Sequence, residues 1–279
     1  MLVTLKQILK IAEAKKCAIG SFNTPNLESM KAVIGAAEEL GQPVIIMHAQ
    51  IHEEMNICKI EEIGKVMLVM ADMATVPVCV HLDHCTDLSY LKRGLDTGFT
   101  SVMYDGSELP PRENYANTCV AVEMAARYGA SVEAEVGSLG SREGGTGPKH
   151  ESVYTDPEDA QKFVKATGID ALACAFGTAH GMYKEQPKLD FERVEKLYSM
   201  LSVPLVMHGG SGVSEDSYRR LIKGGIRKIN YYSYMAKAGG IAAMVAGELG
   251  LSNYHDIAVH AERAMRENAM QAMKIFQEQ

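Results

Sequence analysis

Short apolar, β-branched runs recur along the chain, and segments with helical spacing lie between them. Eight runs predict strands, at residues 18–22, 43–47, 76–82, 101–104, 131–136, 171–175, 204–207 and 226–231. The segment 27–40 illustrates the helical spacing, because its apolar residues recur every three or four positions and fall on one face. The chain therefore predicts a regular alternation of strand and helix from end to end.

This alternation favours a single (β/α)8 TIM barrel that spans residues 1–279 as one domain, since parallel strands need crossover helices. An open, doubly wound sheet is the alternative. Polar residues at the carboxyl ends of different strands favour the barrel, where those ends converge on one rim, whereas an open sheet spreads them by about 4.8 Å per strand. These residues are Asn23, His48, Asp83, His84, Asp105, Glu135, His180, His208 and Asn230.

Composition narrows the range of partners and compartments. With 47% hydrophobic residues the chain can bury a large core. Its net charge of −7 provides no basic stripe, so we expect neither nucleic acid nor membrane as a partner. No signal peptide and no apolar stretch of membrane-spanning length are evident, which predicts a cytoplasmic protein. The six cysteines lack CxxC spacing, a pattern typical of reduced, buried thiols.

Three histidines follow three different predicted strands. A single histidine at a strand end is more often a hydrogen-bonded structural group than a metal ligand. His84, His180 and His208 nevertheless each lie beside a carboxylate or a glycine turn. Catalytic zinc takes three protein ligands, often imidazoles, and keeps one position open. Together the three histidines predict a catalytic divalent-metal site.

Carboxylates surround the predicted ligands. Strand alternation puts His81 and Asp83 on one face, so Asp83 and the following His84 are expected at the rim. His81 lies one step deeper and is expected to support a ligand or to pack, rather than to bind metal. Asp105 and Glu135 end the next two strands, where they can orient imidazoles or bind a second cation. The alternative for both is an ordinary salt bridge inside the barrel.

A glycine-rich turn follows His208 directly. The sequence Gly209-Gly210-Ser211-Gly212 comes after a predicted strand and before a helix start at Ser214. Glycine amides and a serine hydroxyl at such a position form an anion site, and TIM barrels bind phosphate there. A GGSG sequence alone is more often a simple turn, but its position after a predicted metal ligand favours phosphate binding.

Taken together, these segments resemble the class II, metal-dependent ketose-bisphosphate aldolases, which include fructose- and tagatose-bisphosphate aldolases. The resemblance extends from about residue 4 to about residue 230, in family order. The matching segments are residues 20–23, 81–84, 98–107, 133–137, 177–181, 208–212 and 225–230.

The resemblance implies both a metal and its chemistry. Zn²⁺ would be bound by His84, His180 and His208 and would chelate dihydroxyacetone phosphate. Asp83 would protonate the aldehyde oxygen in condensation and act as the base in cleavage. Glu143, on the loop after the fifth predicted strand, would handle the proton on the substrate carbon. Without the family context Glu143 has the pattern of an ordinary solvated loop residue.

The resemblance also implies a substrate and an assembly. The substrate is a small sugar phosphate, a ketose 1,6-bisphosphate of the fructose or tagatose type, split into dihydroxyacetone phosphate and glyceraldehyde 3-phosphate. A second divalent or a monovalent cation and a homodimer or homotetramer are further expectations. The substrate-binding residues would be Asn23, Gly181, Gly209, Gly210, Ser211, Asn230 and Ser233.

The chain departs from the family pattern at both ends of the substrate. Tyr232 stands where many members have a small or acidic residue, and Ala49 where a serine is common. The C-terminal Asp-Pro-Arg that contacts a distal phosphate is not evident. Arg263 and Arg266 are either substitutes or helix-surface residues. These departures favour, as the alternative, an aldolase for another ketose 1-phosphate or modified sugar phosphate without the distal phosphate.

Two further alternatives remain. A non-catalytic regulatory barrel would need a missing catalytic group, yet Asp83, Glu143 and the three histidines are all present. The segment 258–276 carries an apolar stripe that would pack either at an interface between subunits or over the barrel's own outer helices.

Overall fold

A computed structural model describes residues 1–138, 153–183 and 185–278. Nine parallel strands are present in these ranges: β1 Leu2–Val3, β2 Ile19–Asn23, β3 Val44–Ala49, β4 Val78–Cys85, β5 Ser101–Tyr104, β6 Ser131–Val136, β7 Ala171–Cys174, β8 Leu205–Met207 and β9 Ile226–Tyr231. Strands β2 to β9 pair in chain order, and β9 pairs back with β2, so the sheet closes on itself. The predicted TIM barrel is confirmed, and the open sheet is wrong.

Helices connect the strands on the outside of the barrel. The described elements are α1 Leu5–Lys15, α2 Leu27–Leu40, α3 Gln50–Glu54, α4 Ile60–Met73, α5 Leu88–Thr97, α6 Pro111–Ala126, α7 Pro157–Thr167, α8 Phe191–Met200, α9 Glu215–Gly224, α10 Ser233–Glu248 and α11 Tyr254–Gln277. All eight predicted strands are present. The sequence pattern missed the short strand β1, which pairs with β4, and the single-turn helix α3.

The lower end of the barrel is closed by helix α1. Its start is fixed by a capping box, in which the Thr4 side chain accepts a hydrogen bond from Gln7 N and the Gln7 side chain accepts one from Thr4 N. One face of the helix is buried, and it packs against the apolar residues that point into the barrel at this level. Those interior residues include Ile45, Met103 and Val206. The lower barrel is therefore closed by an apolar floor.

Helix α11 packs against the outside of the barrel. Its apolar stripe is buried mainly against α2 and α10 and reaches β2, which supports the expectation that it covers the barrel's own helices. Arg266 donates hydrogen bonds to Gly35 O and Glu39 Oε2, both at 3.0 Å, and Arg263 is exposed. Both arginines are helix-surface residues. No helix of the described chain is long and apolar enough to cross a bilayer, and all six cysteines are free.

Candidate active site

Strand β4 carries two adjacent site residues to the rim through an irregularity in the sheet. The register between β4 and β5 shifts between Leu82 and Cys85, and His84 has a φ of +44°, which few non-glycine residues adopt. This conformation breaks the strict alternation of side chains. As a result Asp83 and His84, although consecutive, line the same cleft. The prediction that both reach the rim is confirmed.

The three predicted ligand histidines come together at this rim. One ring nitrogen from each of His84, His180 and His208 lies within 4.8 Å of the others. His84 Nε2 and His180 Nε2 are 3.1 Å apart. Zinc–nitrogen bonds of about 2.0–2.1 Å at a tetrahedral ion require roughly 3.3 Å between ligand nitrogens. The separation in this cluster is close to that requirement.

Carboxylates hold two of the imidazoles from behind. His84 Nδ1 donates to Asp105 Oδ2 at 2.8 Å, and His208 Nε2 donates to Glu133 Oε1 at 2.8 Å. These bonds leave His84 Nε2 and His208 Nδ1 for a ligand. His208 Nδ1 is buried and has no hydrogen-bond partner among the described residues. A buried ring nitrogen of this kind is costly unless something binds it. The donor set therefore fits a divalent metal ion.

The charges around the imidazoles also favour a cation. Four carboxylates, Asp83, Asp105, Glu133 and Glu135, are buried here, and among the described residues Lys228 supplies the one buried ammonium. Burial alone would lower the pKa of the His84 imidazole, but the charges of Asp83 and Asp105 raise that pKa to about 10. Negative charge in excess at a buried site is stabilised by bound positive charge.

Asp83 is held by two amides. Asn23 Nδ2 donates to Asp83 Oδ2 at 3.2 Å, and Asn230 Nδ2 donates to Asp83 Oδ1 at 3.0 Å. Burial alone would raise the pKa of Asp83, but nearby positive charge, with that of His84 foremost, brings it below its usual range. The carboxyl group is therefore ionised and fixed in orientation. Three residues that the sequence placed at different strand ends thus meet as one group.

A buried ion pair beneath this group was missed at the sequence level. Lys228 Nζ lies 3.0 Å from Glu133 Oε2 and donates to Asn230 Oδ1 at 2.7 Å, so it links the partner of His208 to the partner of Asp83. The available signal was period two, because Lys228 and Asn230 share one strand face. His81 shares a hydrogen bond with Ser101 Oγ at 2.7 Å and is not one of the clustered histidines, as expected.

One cleft brings the predicted substrate residues together. It lies beside His84 and His180, and helix α10 begins at its edge. Its lining includes every residue that the resemblance assigned to substrate: Asn23, Gly181, Gly209, Gly210, Ser211, Asn230 and Ser233. Tyr232 lines it as well, and Tyr232 N donates to Ser211 Oγ at 3.0 Å. Backbone amides, a hydroxyl and a helix N-terminus together are typical of a phosphate site.

The two glycine loops of this cleft are packed closely against each other. Gly209 has a φ of +63°, and a Cβ atom there would come within 2.3 Å of Ala179 O. Tyr183 joins the loops, because its hydroxyl accepts from Ala179 N and donates to Gly209 O, both at 2.8 Å. Only glycine fits at this point of contact.

A second cleft lies on the other side of the same histidines. It is lined by Ala49, Gln50, Ile51, Glu54, His84, Thr86 and His180, and four of these residues come from the end of β3 and from α3. The face of α3 that points away from this cleft is anchored to the barrel by hydrogen bonds. His52 Nδ1 accepts one from Ala49 N at 3.2 Å. The Glu53 carboxylate accepts one from the Tyr90 hydroxyl at 3.0 Å and one from the Arg93 guanidinium at 2.9 Å. Glu143, the other predicted catalytic residue, lies outside the described residues.

Comparisons with known proteins identify the family of the chain. The family model described as fructose-bisphosphate aldolase class-II matches residues 3–279. A fructose-bisphosphate aldolase of Geobacillus stearothermophilus is 42% identical over 233 residues, which are 82% of this chain and 80% of that protein.

Two solved structures share the fold of this protein over nearly the whole chain. The YdjI aldolase from Escherichia coli K12 superimposes with a TM-score of 0.88 at 34% identity, over 99% of this chain and 97% of that one. A fructose-bisphosphate aldolase of Campylobacter jejuni, at 23% identity, shares the fold with a TM-score of 0.83 over 99% of this chain and 95% of that one. The chain therefore belongs to the class II fructose-bisphosphate aldolase family, whose members are aldehyde-lyases.

Proposed function

We propose that this protein is a zinc-dependent aldolase that reversibly cleaves a ketose phosphate into dihydroxyacetone phosphate and an aldehyde. The observation that carries the proposal is the convergence of three imidazole nitrogens within 4.8 Å, between the glycine-lined cleft and the second cleft. His84, His180 and His208 would hold the ion. A divalent ion in this position supplies Lewis-acid chemistry, since it polarises a carbonyl group and stabilises neighbouring negative charge.

The polar groups of the first cleft bind and orient the dihydroxyacetone phosphate half. The Gly209 amide, the Ser211 hydroxyl and the first turn of α10 from Ser233 receive the phosphate. The Gly210 amide donates to Asn230 O at 3.0 Å and fixes the loop instead. Because Ser211 Oγ already accepts from Tyr232 N, its own proton is available to a phosphate oxygen. This end fixes the position of the substrate carbon chain relative to the imidazoles.

Asp83 moves the proton that accompanies bond breaking. In the cleavage direction its carboxylate takes the proton of the C4 hydroxyl, the C3–C4 bond breaks, and the electron pair passes to the carbonyl of the dihydroxyacetone phosphate half. C3 of that half then takes up a proton, a transfer that the resemblance assigns to Glu143. In condensation the protonated carboxyl returns that proton to the aldehyde oxygen. Its low pKa and its two amide donors favour the ionised form that cleavage requires.

Ketose 1,6-bisphosphates of the fructose and tagatose type are the reference substrates, because relatives of this chain carry the name fructose-bisphosphate aldolase. The second candidate is a ketose 1-phosphate without a distal phosphate. It is favoured by the lining of the second cleft, which includes Ala49, Ile51 and Glu54.

Metal removal tests the proposal. We expect one zinc per chain by elemental analysis, loss of dihydroxyacetone phosphate release after dialysis against a chelator, and its return with Zn²⁺ or Co²⁺. Asp83→Asn should retain the metal and lose turnover by roughly two orders of magnitude or more, whereas the exposed control Asp72→Asn should retain both. Undiminished turnover in the metal-free protein, or in Asp83→Asn, would contradict the proposal.

A further inference from the structure

The second cleft is the place where the aldehyde half of the substrate would lie, an assignment that rests on the proposed function. The two clefts share His84 and His180. If the phosphate of the dihydroxyacetone half occupies the glycine-lined cleft, the bond that breaks lies at these imidazoles. The remainder of the substrate then extends past them into the space bounded by β3 and α3.

The first cleft shows how this molecule builds a site for phosphate. It offers the backbone amide of Gly209, the hydroxyl of Ser211 and the start of the 16-residue helix α10. Among the described residues, the lining of the second cleft contains no glycine, lysine or arginine, and the helix that begins there, α3, has only five residues. The Ala49 and Thr86 amides already donate to side chains of α3. Ala49 and Ile51 contribute alkyl groups to it instead. The two ends of the site therefore differ in the chemistry that they recognise.

The polar groups of the second cleft do not favour an anion. Gln50 Nε2 donates to Glu54 Oε1 at 2.8 Å, and Gln50 Oε1 accepts from Thr86 N at 3.1 Å, so the amide is tied down at both ends. The Glu54 carboxylate brings a negative charge to the opening. The Thr86 side chain adds a hydroxyl group. An approaching phosphate or carboxylate would meet like charge, whereas a sugar hydroxyl would find acceptors.

We propose that the aldehyde half carries no phosphate or carboxylate, so that the substrate is a ketose 1-phosphate whose far end is uncharged and hydroxylated. Glu54 is the residue that determines this preference, because it places a carboxylate where a distal phosphate would lie. The neighbouring Gln50 holds that carboxylate in place.

The test compares two aldehydes that differ in one phosphate. The zinc-loaded enzyme condenses dihydroxyacetone phosphate with D-glyceraldehyde or with D-glyceraldehyde 3-phosphate, and consumption of dihydroxyacetone phosphate gives kcat/KM for each. We expect the uncharged aldehyde to be favoured roughly tenfold or more, the scale of repulsion between a carboxylate and a phosphate dianion near a protein surface. Added salt should reduce the ratio, because the repulsion is screened.

Variants identify the residue responsible. Glu54→Gln should reduce the ratio of the two kcat/KM values, and Glu54→Lys should reverse it in favour of the phosphorylated aldehyde. Glu123→Lys makes the same charge change on the exposed surface of α6, and its ratio should equal that of the unchanged protein. If Glu123→Lys shifts the ratio as far as Glu54→Lys does, net charge and not the cleft is responsible, and the assignment of Glu54 is wrong.

Failure of this inference is distinct from failure of the proposed function. Equal or greater kcat/KM for glyceraldehyde 3-phosphate in the unchanged protein overturns the inference while supporting the aldolase. Exchange of hydrogen with solvent at the hydroxymethyl carbon of dihydroxyacetone phosphate, followed by NMR without any aldehyde, tests the metal site and the glycine-lined cleft alone. No exchange and no condensation with either aldehyde would overturn the proposed function.

Discussion

The buried pair of Lys228 and Glu133 should be essential to both the barrel and the site. Both side chains are fully buried, and Lys228 also donates to Asn230 Oδ1. The change Lys228→Met removes the ammonium group and leaves the Glu133 carboxylate in the interior. Removal of one partner of a buried pair costs about 3–5 kcal/mol, because the other charge loses its compensation. That cost is a large part of the roughly 5–15 kcal/mol that stabilises a typical domain.

A double-mutant cycle with urea unfolding measures this cost. The chain contains no tryptophan, so far-UV circular dichroism is the suitable signal, and chelator in all samples removes the contribution of metal binding. Lys228→Met combined with Glu133→Gln should be less destabilised than the sum of the single changes, by roughly 2 kcal/mol or more. Lys31→Met, which breaks a surface pair with Glu262, should cost only about 0–1 kcal/mol.

The same change should also reduce activity beyond its effect on folding. Without the Lys228 ammonium, the Asn230 amide loses the donor that fixes its orientation and can turn its oxygen toward Asp83. We expect kcat to fall by roughly tenfold or more in the folded, zinc-loaded variant. A loss of stability below about 1 kcal/mol, additive single changes in the cycle, or unchanged kcat would refute the reasoning from the buried pair.

Two further predictions follow from the loops and from the buried histidines. Gly209→Ala would bring a Cβ atom within 2.3 Å of Ala179 O, so that one of the two loops must shift. KM for dihydroxyacetone phosphate should therefore rise roughly tenfold or more. The control Gly41→Ala changes a glycine with a similar φ of +62° but with open space around it, and it should leave KM unchanged. Burial lowers the pKa of His48 to about 3 and that of His52 to about 4, whereas both have a pKa of about 6.5 in the unfolded chain. The unfolded chain therefore binds protons that the native chain does not, and the free energy of unfolding should fall as the pH drops below 6.5. Each of the two histidines should lower the free energy of unfolding by about 2 kcal/mol at pH 5, measured by urea unfolding in chelator. If His52→Gln loses as much stability between pH 7.5 and pH 5 as the unchanged protein does, this assignment is wrong.

The strand ends could be predicted from the sequence because strand periodicity is a local signal. His84, His180, His208 and Asp83 follow apolar runs directly, so their common rim follows once the barrel is assumed. The φ of +44° at His84 was not predictable, because it depends on a register shift between two strands and not on the neighbouring residues in the chain.

The interior ion pair could not be predicted for a different reason. Lys228 and Glu133 lie 95 residues apart, and a charged residue within a strand is costly to bury until its partner is known. The role of helix α1 as the floor of the barrel could not be predicted either. Helix α1 shows an apolar face in the sequence, but only the closed barrel shows what that face covers. The second cleft depends on α3, whose single turn is too short to give a periodic pattern.

The short helix α3 gives the protein a way to acquire new substrates. Its rear residues, His52 and Glu53, anchor the backbone to the barrel, while Gln50, Ile51 and Glu54 face the second cleft. On the proposed assignment of this cleft to the aldehyde half, a substitution at one of the three front positions would change what the cleft recognises and leave the anchors, the floor and the three histidines in place. Natural variation or a saturation library confined to these positions can therefore explore aldehyde specificity at small cost to folding, and the carbon–carbon chemistry is retained while the product changes.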